Sequence, residues 1–456
     1  MMLFQLPWLD LAIAIPLGGA MAATRARSVE AAYRWSKGTT AIALVTAVLA
    51  GVGFEAGFPQ QSRILENGFA LDSLSALLFP LASLLHFLTV LSTARNKAPR
   101  FSFTGTLAGE SLRLAIFACT EPWPLIALLT VETLIPYFEK NGTTRSLRLF
   151  AWHMGAYIAL LMTGWACVEG RIPGGRGVGS ALLLAAVLVR CGAVPVHTWL
   201  ASLFARGAFS ASLLFATPMT GVYAAVRLVV PIAPDWILQS LGVVSLVTAA
   251  YAAGMAVVQR DARRFFAFLF LSNASLVLVG LELHTSLSLT GALALWASAA
   301  LALSGLGFTL RAVEARLGQM PLDRFVGLYD HSPGLAVGFL LTGLASVGFP
   351  CTLGYVAADL LVEGAVETHL ALGIIVVLAT AINGIAIVRA YLLLFTGRRH
   401  ESTAPLAITG RERAMVLAVA SLILGGGFVP QLLVVSRHAA AQEVLNIRFA
   451  NLGPDL

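Results

Sequence analysis

Long apolar segments, separated by short polar loops, follow one another along almost the whole chain. A helix needs about 20 consecutive apolar residues to span the hydrocarbon core of a bilayer. Windows of that length predict about fourteen transmembrane helices and hence an all-α polytopic membrane protein. The last span is expected to end near Val435, before a short tail. The predicted spans lie near residues 8–23, 39–58, 71–93, 105–120, 123–138, 149–168, 178–204, 209–230, 236–258, 264–282, 286–310, 333–362, 368–397 and 414–436.

The seventh and twelfth windows are longer than the others and are interrupted by glycine and proline. The seventh contains Gly192 and Pro195, and the twelfth contains Gly348 and Pro350. Non-helical backbone at membrane depth is tolerated only where protein or a water-filled cavity covers the freed polar groups. Paired interruptions of this kind point to a transport site.

The two interruptions also predict an internal repeat. Counted in fives, spans four to eight and spans nine to thirteen form two units, each with its broken helix in fourth place. Because five is odd, the second unit is inverted relative to the first in the membrane. The single integral membrane domain, residues 1–456, then divides into three N-terminal helices, two five-helix units and a last helix with its tail, at 1–104, 105–230, 236–397 and 414–456.

The basic residues are concentrated in alternate loops, beginning with the loop that carries Arg25, Arg27, Arg34 and Lys37. Cytoplasmic loops carry such an excess of positive charge, so we expect an inner (cytoplasmic) membrane protein with both termini outside the cytoplasm. This distribution accounts for the formal net charge of +7. A nucleic-acid partner is not expected, because no basic patch lies on a soluble domain.

Composition agrees with a membrane protein and offers little catalytic chemistry. Hydrophobic residues make up 58% of the chain and charged residues 12%. The four cysteines lie in apolar segments without a CxxC pair and are interpreted as buried thiols. The sequence contains no metal, haem, nucleotide, flavin or iron–sulfur motif. We therefore expect no cofactor, no metal and no catalytic residue, and any redox chemistry would belong to partner subunits.

A permanently charged residue, Arg190, lies inside the seventh window beside the predicted break. An arginine near mid-bilayer costs roughly 2.5–3.5 kcal/mol on insertion scales, and intramembrane charges usually serve a function. The position therefore favours an ion path over a passive anchor.

Six segments, spread almost from end to end, carry a family resemblance. They are AIAIPLGGAM, FALDSLSALL, VETLIPY, RCGAVPVHTWL, ARRFFAFLFLSNASLVLVG and GFPCTLGYVAADLL. They resemble the proton-translocating, antiporter-like membrane subunits of respiratory complex I and of multisubunit cation/proton (Mrp-type) antiporters. The resemblance implies fourteen helices with both ends outside the cytoplasm. It also implies a place among other membrane and peripheral subunits of a larger complex.

The resemblance assigns roles to two residues. Glu132 matches the family's fifth-helix glutamate, and Arg190 lies where the family normally has a lysine. In the family these two form a buried pair that controls protonation of a central hydrophilic axis. Lysine can lose its proton when buried, whereas arginine effectively cannot. Arg190 is therefore expected to act on Glu132 electrostatically and not to relay a proton itself.

Most of the family's other titratable positions carry residues that do not titrate. The eighth-helix lysine position is Met219, the tenth-helix histidine position is Asn273, the eleventh-helix histidine position is about Ala299, and the twelfth-helix position is Ala358. Asn273 can support a water wire but cannot store charge. Asp359 follows one residue later, and one residue turns a side chain by ~100° around a helix. It replaces the lost group only if the twelfth helix is rotated.

Several other groups have two interpretations. His197, at the far end of the seventh span, is either a proton relay or a cap for freed carbonyls. Arg227 and Arg389 are placed toward cytoplasmic helix ends, where they snorkel or line an entrance. Asp359 is expected to be buried, either in an ion pair with Arg389 or in the second half of the ion path.

Two pairs in the N-terminal half have plain structural interpretations. Glu110 and Arg113 lie three residues apart in the fourth span and are expected to neutralise each other. His86 and His153 lie in apolar spans without a motif and are interpreted as core histidines.

The leading hypothesis is a membrane subunit of a larger complex that couples proton or sodium movement to another reaction. Glu132 would be the loading site, Arg190 its gate and Asp359 an exit group. A proton-translocating oxidoreductase is one candidate for that complex. One alternative is a structural or docking subunit that has lost translocation, with Glu132 and Arg190 as a structural ion pair. Another is the membrane subunit of an inorganic-carbon uptake complex with a carbonic-anhydrase-like partner.

Overall fold

The computed structural model describes residues 6–64, 68–93, 98–138, 144–282, 285–398 and 407–452. Within these ranges the chain is helical, with three isolated bridges between extended residues and no strand. A π-helical turn, Ala225–Val229, continues the tenth helix. The helices α1–α18 are Trp8–Thr24, Val29–Glu55, Ser75–Leu91, Phe103–Ala118, Pro122–Glu132, Thr144–Val168, Gly175–Cys191, Thr198–Arg206, Phe209–Ala216, Thr220–Ala224, Asp235–Val258, Ala262–Glu282, Ser286–Leu317, Pro333–Ser346, Leu353–Thr368, Leu370–Phe395, Gly410–Phe428 and Gln431–Leu452.

Seven helical segments in the described ranges are long and apolar enough to cross a membrane. They are α2, α6, α9 with α10, α11, α12, α13 and α16, and the bent pair α17–α18 raises the number to eight. Helices α1, α3 and α14 are shorter apolar helices. Each predicted window contains helix, but length and composition support seven or eight crossings here. The count of about fourteen stays a prediction.

Helices α12 and α13 form the centre of the molecule. The most apolar 18-residue window of α13 is entirely buried, whereas the corresponding windows of α6 and α16 are only one-third buried. An apolar helix is stable either in such a core or against lipid, so α6 and α16 have faces suited to a membrane. Because α13 packs against α14 and α15, it supports the second broken helix.

Small residues bring α6 and α7 together. A Cβ atom added to Gly179 would lie 2.7 Å from the carbonyl oxygen of Gly164. Close backbone approach through small residues is a main source of helix association in membranes. This contact positions α7, whose last turn carries Arg190.

Both predicted helix breaks are present. Gly192 interrupts the chain between α7 and α8, and Gly348 interrupts it between α14 and α15; each adopts a φ of +72°. Glycine adopts such a conformation without steric cost. A third break, at Pro218 between α9 and α10, was not predicted from the sequence.

The predicted end of the last span is wrong. The window 414–436 runs across a bend of 77° between α17 and α18. Helix α18, of 22 residues, begins at Gln431 inside that window and continues through the expected tail to Leu452. Pro430 lies at the bend, where a residue without an N–H group is tolerated just before a new helix. Hydropathy missed the bend because apolar residues continue through it.

Two buried arginines attach α18 to distant parts of the chain. Arg437 donates to the two carbonyl oxygens that directly precede α3, each at 2.9 Å. Arg448 donates to the carbonyl oxygens of Val230 and Ala233, at 2.6 and 2.7 Å. Carbonyls at the end of a helix lack partners within it, so Arg448 satisfies groups that would otherwise be buried unpaired.

Candidate functional site

The site begins with Glu132, the last residue of α5. Two prolines near the start of α5 suit the first helical turn, and a 3-10 turn at Ile135–Phe138 follows the helix. The Glu132 side chain is completely buried. A buried carboxylate is tolerated only when it is paired and hydrogen-bonded.

Two arginines supply those partners from different helices. Arg113 of α4 donates through Nε to Oε1 of Glu132 at 3.1 Å. Arg190 of α7 donates through Nη2 to Oε2 at 3.2 Å. Both guanidinium groups are almost fully buried. The predicted pair of Glu132 and Arg190 is therefore part of a three-residue cluster, and Arg113 bonds Glu132 instead of neutralising Glu110.

Thr220 joins the two charges. Its hydroxyl accepts from Arg190 at 2.7 Å and donates to Oε2 of Glu132 at 2.7 Å. One hydroxyl can play both roles, because it has one proton and two lone pairs. Thr220 thus fixes the spacing between the guanidinium and the carboxylate.

The third helix break provides another acceptor for Arg190. In a continuous helix the amide of Met219 would bond to the carbonyl of Phe215, but at this break it bonds to Ala216 at 2.9 Å. The free Phe215 carbonyl accepts from Arg190 at 3.2 Å. The Arg190 guanidinium also lies 4.0 Å from the centre of the Phe215 ring. This cation–π contact and the freed carbonyl compensate a buried charge.

The backbone at the first break is satisfied by surrounding residues. The indole of Trp199 donates to the carbonyl of Val189 at 2.9 Å, and the amide of Val194 donates to Thr248 at 3.0 Å. Protein groups therefore cover this interruption, as a break at membrane depth requires. The peptide bond before Pro195 is cis.

His86 extends the cluster beyond Arg113. Nη1 of Arg113 lies 2.9 Å from Nε2 of His86, and Nδ1 of His86 lies 2.8 Å from the carbonyl oxygen of Ala82. A carbonyl oxygen only accepts, so Nδ1 carries the proton and Nε2 accepts from Arg113. His86 is thus buried and hydrogen-bonded at both ring nitrogens, as expected of a core histidine, and one of its partners belongs to the charged cluster. Among the described residues, His153 bonds only to the carbonyl of Leu149 in its own helix.

Glu110 lies next to this cluster without joining it. Ser83 donates to its Oε1 at 2.6 Å, while Oε2 is buried and has no hydrogen-bond partner in the described part of the chain. A cavity of about 20 Å³ lies beside His86 and Arg113 and is also lined by Thr106, Gly109 and Phe215. That volume accommodates about one water molecule.

His197 stands apart from the cluster, between α7 and α8. It is half-buried, and its Nε2 lies 3.5 Å from the hydroxyl of Tyr251. Its ring also contacts the ring of Phe268. Neither contact reaches Glu132, so the structure does not bring His197 into the charged cluster.

The second broken helix has polar groups but no charge cluster. A cavity of about 520 Å³ is lined by Asn273, Asp359 and Asn383. Asp359 is exposed on the outer side of α15, so the expectation that it is buried is wrong. Ala358, one residue earlier, lines the same cavity. Cys351, expected to be a buried thiol, is exposed at this break.

Arg389 does not pair with Asp359. It donates to the carbonyl oxygens of Gln259 and Leu322, at 3.2 and 3.1 Å. These acceptors lie in the loops after α11 and α13, which the charge pattern places on the cytoplasmic side. Arg389 therefore cross-links two loops rather than extending freely into solvent.

Arg227 forms an ion pair with Asp72, just before α3, and donates to the hydroxyl of Tyr223 at 3.0 Å. The charge pattern places that end of α3 on the non-cytoplasmic side. The expectation of Arg227 at a cytoplasmic helix end therefore disagrees with the predicted topology, which itself stays a prediction.

The remaining family positions are apolar in this fold. Met219 is buried at the third break, with a φ of +53°, and Ala299 is buried in α13. No group of three His, Cys, Asp or Glu side chains that could hold a metal occurs in the described ranges. The site is thus a network of two arginines, one carboxylate, one histidine and one threonine hydroxyl in the N-terminal half.

Comparisons with known proteins match this fold and this region. A family profile described as NADH:quinone oxidoreductase/Mrp antiporter, TM, matches residues 171–383. An NAD(P)H-quinone oxidoreductase chain 4 of Trichormus variabilis is 28% identical over 293 residues, which cover 60% of this chain and 55% of that protein. The chain thus spans about half the length of the curated relatives it matches.

Two solved structures share the architecture over nearly the whole chain. Respiratory complex I from Thermus thermophilus contains a chain that superposes with a TM-score of 0.85 at 20% identity, covering 96% of this chain and 99% of that one. The Mrp complex from Dietzia contains another, with a TM-score of 0.86 at 20% identity, covering 98% and 99%. At this identity the likeness establishes the fold.

Proposed function

The chain belongs to the family of antiporter-like membrane subunits of NADH:quinone oxidoreductases and Mrp antiporters, and from that premise we propose that it couples proton translocation to another reaction within a multi-subunit membrane complex. One observation carries the proposal: the buried Glu132 lies between Arg113 and Arg190 beside a broken helix. Buried ionisable residues in membrane segments mark ion pathways.

The geometry supports a specific division of roles. Glu132 is the proton-loading group, since it is the carboxylate of the cluster and arginine keeps its charge. A proton on Oε2 would displace the donor hydroxyl of Thr220 and weaken the attraction of Arg190. Two cations would then repel each other without a carboxylate between them. Loading therefore requires one guanidinium to move away, or negative charge to arrive nearby.

Arg190 is better placed to move than Arg113. It lies in the last turn of α7, two residues before Gly192 and the break, whereas Arg113 lies within α4. A helix end next to an interruption can change direction without breaking an internal ladder of hydrogen bonds. Arg190 would thus act as the gate that couples proton loading to a change in the first broken helix.

The second half of the pathway would use the cavity at the other broken helix. Asn273 is buried on its wall and can bind water. His197 and Asp359 would extend the pathway toward the surfaces. Since Asp359 lies on the outer face of α15, its role as an exit group depends on what covers that face.

The finer topology belongs to the same proposal. We place about fourteen crossings in the inner membrane, with both termini outside the cytoplasm and the units 105–230 and 236–397 inverted relative to each other. The alternate basic loops and the two breaks at Gly192 and Gly348 support this arrangement. Other membrane and peripheral subunits are the expected partners, and the ion is a proton, with sodium as the alternative.

Proton uptake into vesicles that contain the assembled complex tests the proposal. We expect Glu132→Gln to lower coupled uptake at least about tenfold while the complex remains assembled. Glu169→Gln, an exposed carboxylate outside the membrane spans, is the matched control and should leave uptake unchanged. Full coupled uptake by the Glu132 variant would overturn the assignment. Repeating the assay without sodium separates the two ions.

One observation favours a second candidate, a structural subunit without translocation. Both oxygens of Glu132 are already paired, and Met219, Ala299 and Ala358 replace titratable residues. A saturated cluster of this kind can hold α4, α5 and α7 together. In that case Arg190→Ala would reduce assembly of the complex, and proton uptake per assembled complex would be unaffected by Glu132→Gln.

A further inference from the structure

The outer face of α15 carries a row of acidic residues. Asp359, Glu363 and Glu367 are all exposed and follow one another at intervals of four residues. Residues four apart in a helix lie on the same side, about 6 Å apart along the axis. Tyr355, four residues before Asp359 on the same side of the helix, is also exposed.

The surroundings of Asp359 are apolar. On the neighbouring helix α16, Ile374, Val377, Leu378 and Ile385 are between 48% and 60% exposed. Helix α16 is the most hydrophobic of the candidate membrane spans. An aspartate that faced lipid beside such a helix would be strongly disfavoured. A large exposed apolar face that contains a charge is therefore expected to be covered by something that satisfies the charge.

The wall of the cavity behind Asp359 carries a hydrogen-bond acceptor, Oδ1 of Asn383. Asn383 lines the same cavity and is completely buried. Its Nδ2 donates to Ser272 at 2.8 Å, but its Oδ1 has no hydrogen-bond partner among the residues that the structure describes. No hydrogen bond or ion pair joins Asp359 to the described residues. The cavity therefore presents a carboxylate at its edge and an unpaired carbonyl oxygen inside.

We propose that a transmembrane helix of a partner subunit docks on this face and places a lysine or arginine side chain over Asp359, with its donors directed toward Oδ1 of Asn383. Ammonium and guanidinium groups carry donors and no acceptors, which complements a wall that lacks donors for these two oxygens. Their long apolar stems suit a cavity of about 520 Å³ between α15 and α16. Glu363 and Glu367 fit further basic residues nearer the end of the partner helix.

The inference concerns assembly and goes beyond proton movement. Charge pairing of this kind selects the partner and its register, because a helix without a matching cation would leave Asp359 unpaired in an apolar contact. The partner is therefore recognised by a basic residue within an apolar membrane segment.

Site-specific photo-cross-linking in the intact complex locates the occupant. A photo-reactive amino acid at Val377, which lines the cavity, is compared with one at Val247 on α11, which is also exposed. We expect the Val377 probe to attach to a membrane segment of another subunit that contains lysine or arginine. Attachment only to phospholipid, to a second copy of this chain, or to a segment without a basic residue would overturn the proposal.

A charge exchange then tests the pairing. Asp359→Asn should reduce the amount of that subunit retained on the purified chain by about tenfold, with no loss of the chain itself from the membrane. Asp330→Asn, the same change at an exposed loop position, is the matched control. Asp359→Lys should release the partner, and an aspartate at the cross-linked basic position should restore it. Full retention by Asp359→Asn, or no rescue, would contradict the proposal. Because the readout is subunit retention, its failure and that of the proton-uptake assay are distinguishable.

Discussion

Arg113 and Glu132 meet across the contact between α4 and α5, with Nε 3.1 Å from Oε1, and neither side chain is more than 1% exposed. This bond is distinct from the one that the family resemblance assigns to Arg190. It gives each oxygen of Glu132 its own cation. The cluster would therefore retain an ion pair if Arg190 moved away, which a single pair could not do.

Replacement of Arg113 should strongly destabilise the folded protein. Arg113→Met leaves His86 and one oxygen of Glu132 without a donor, and removal of one partner from a buried pair typically costs about 3–5 kcal/mol. Unfolding in detergent measures the change. Arg171→Met provides the control, because the Arg171–Glu169 pair is exposed and such pairs contribute about 0–1 kcal/mol. Equal losses in both variants would contradict the role given to Arg113.

Loss of the Thr220 hydroxyl should lower the stability of the protein. Thr220→Val removes the donor to Glu132 and the acceptor for Arg190 together, and each unsatisfied buried group costs about 1–3 kcal/mol. Thr163→Val makes the same change at an exposed position whose hydroxyl bonds only to its own helix, so it should change stability by less than about 0.5 kcal/mol. Thermal unfolding of the two variants compares them directly. A Thr220 variant as stable as the control would rule out the bridging role.

Substitution of Arg190 by lysine tests whether this residue controls proton loading of Glu132. Arg190→Lys keeps a cation beside Glu132, but its shorter side chain does not reproduce the contacts that Nη2 of Arg190 makes with Thr220, Phe215 and Glu132. Lysine can also release its proton. Initial rates of proton uptake in vesicles should therefore persist and become more dependent on pH than in the parent complex. Arg190→Ala should abolish coupled uptake. Identical behaviour of the two variants would show that charge at this position is irrelevant.

The attachment of α18 should depend on Arg448. Arg448→Met removes bonds to Val230 and Ala233 as well as the pair with Asp235. Each hydrogen bond to a charged group contributes about 1.5–3 kcal/mol, so hydrogen exchange in the second half of α18 should rise at least about tenfold. Arg413→Met, at an exposed position, is the control. Unchanged exchange in α18 would mean that other contacts hold the helix.

Protonation of Glu169, just after α6, should be observable as the pH is lowered. The indole of Trp123 donates to its carboxylate, and with Trp165 and Arg171 it lowers the pKa of Glu169 below the ordinary value. A lowered pKa means that these bonds contribute above the ordinary pKa of a glutamate, about 4.3, and are lost as the pH falls through the lower folded value. Tryptophan fluorescence should change in that acidic range. Glu169→Gln should lack the transition, and its persistence there would assign the signal elsewhere.

The sequence predicts the helical segments and both glycine-centred breaks because hydropathy and backbone preference are local. Arg113 was visible as a charge in the fourth apolar window, but its partner lies on the next helix, and local spacing suggested Glu110 instead. His86 has no motif, since only the packing of α3 on α4 brings it to Arg113.

The exposure of Asp359 could not be predicted for a related reason. A window of apolar residues shows that a helix is embedded, but the side of the helix that faces the protein depends on its neighbours. The acidic row at four-residue spacing was present in the sequence and is the signal that could have indicated an outward face.

The bonds of α18 have a consequence for the order in which the molecule is completed. The bond from Arg437 to Leu74 joins residues 363 positions apart. Synthesis proceeds from the N-terminus at about 5–20 residues per second, so α3 is made long before its partner on α18 exists. During that interval the carbonyls before α3 and after α10 lack the donors that Arg437 and Arg448 supply in the complete fold. Helix α18 can therefore close this face of the bundle only after the chain has been extended to Arg437.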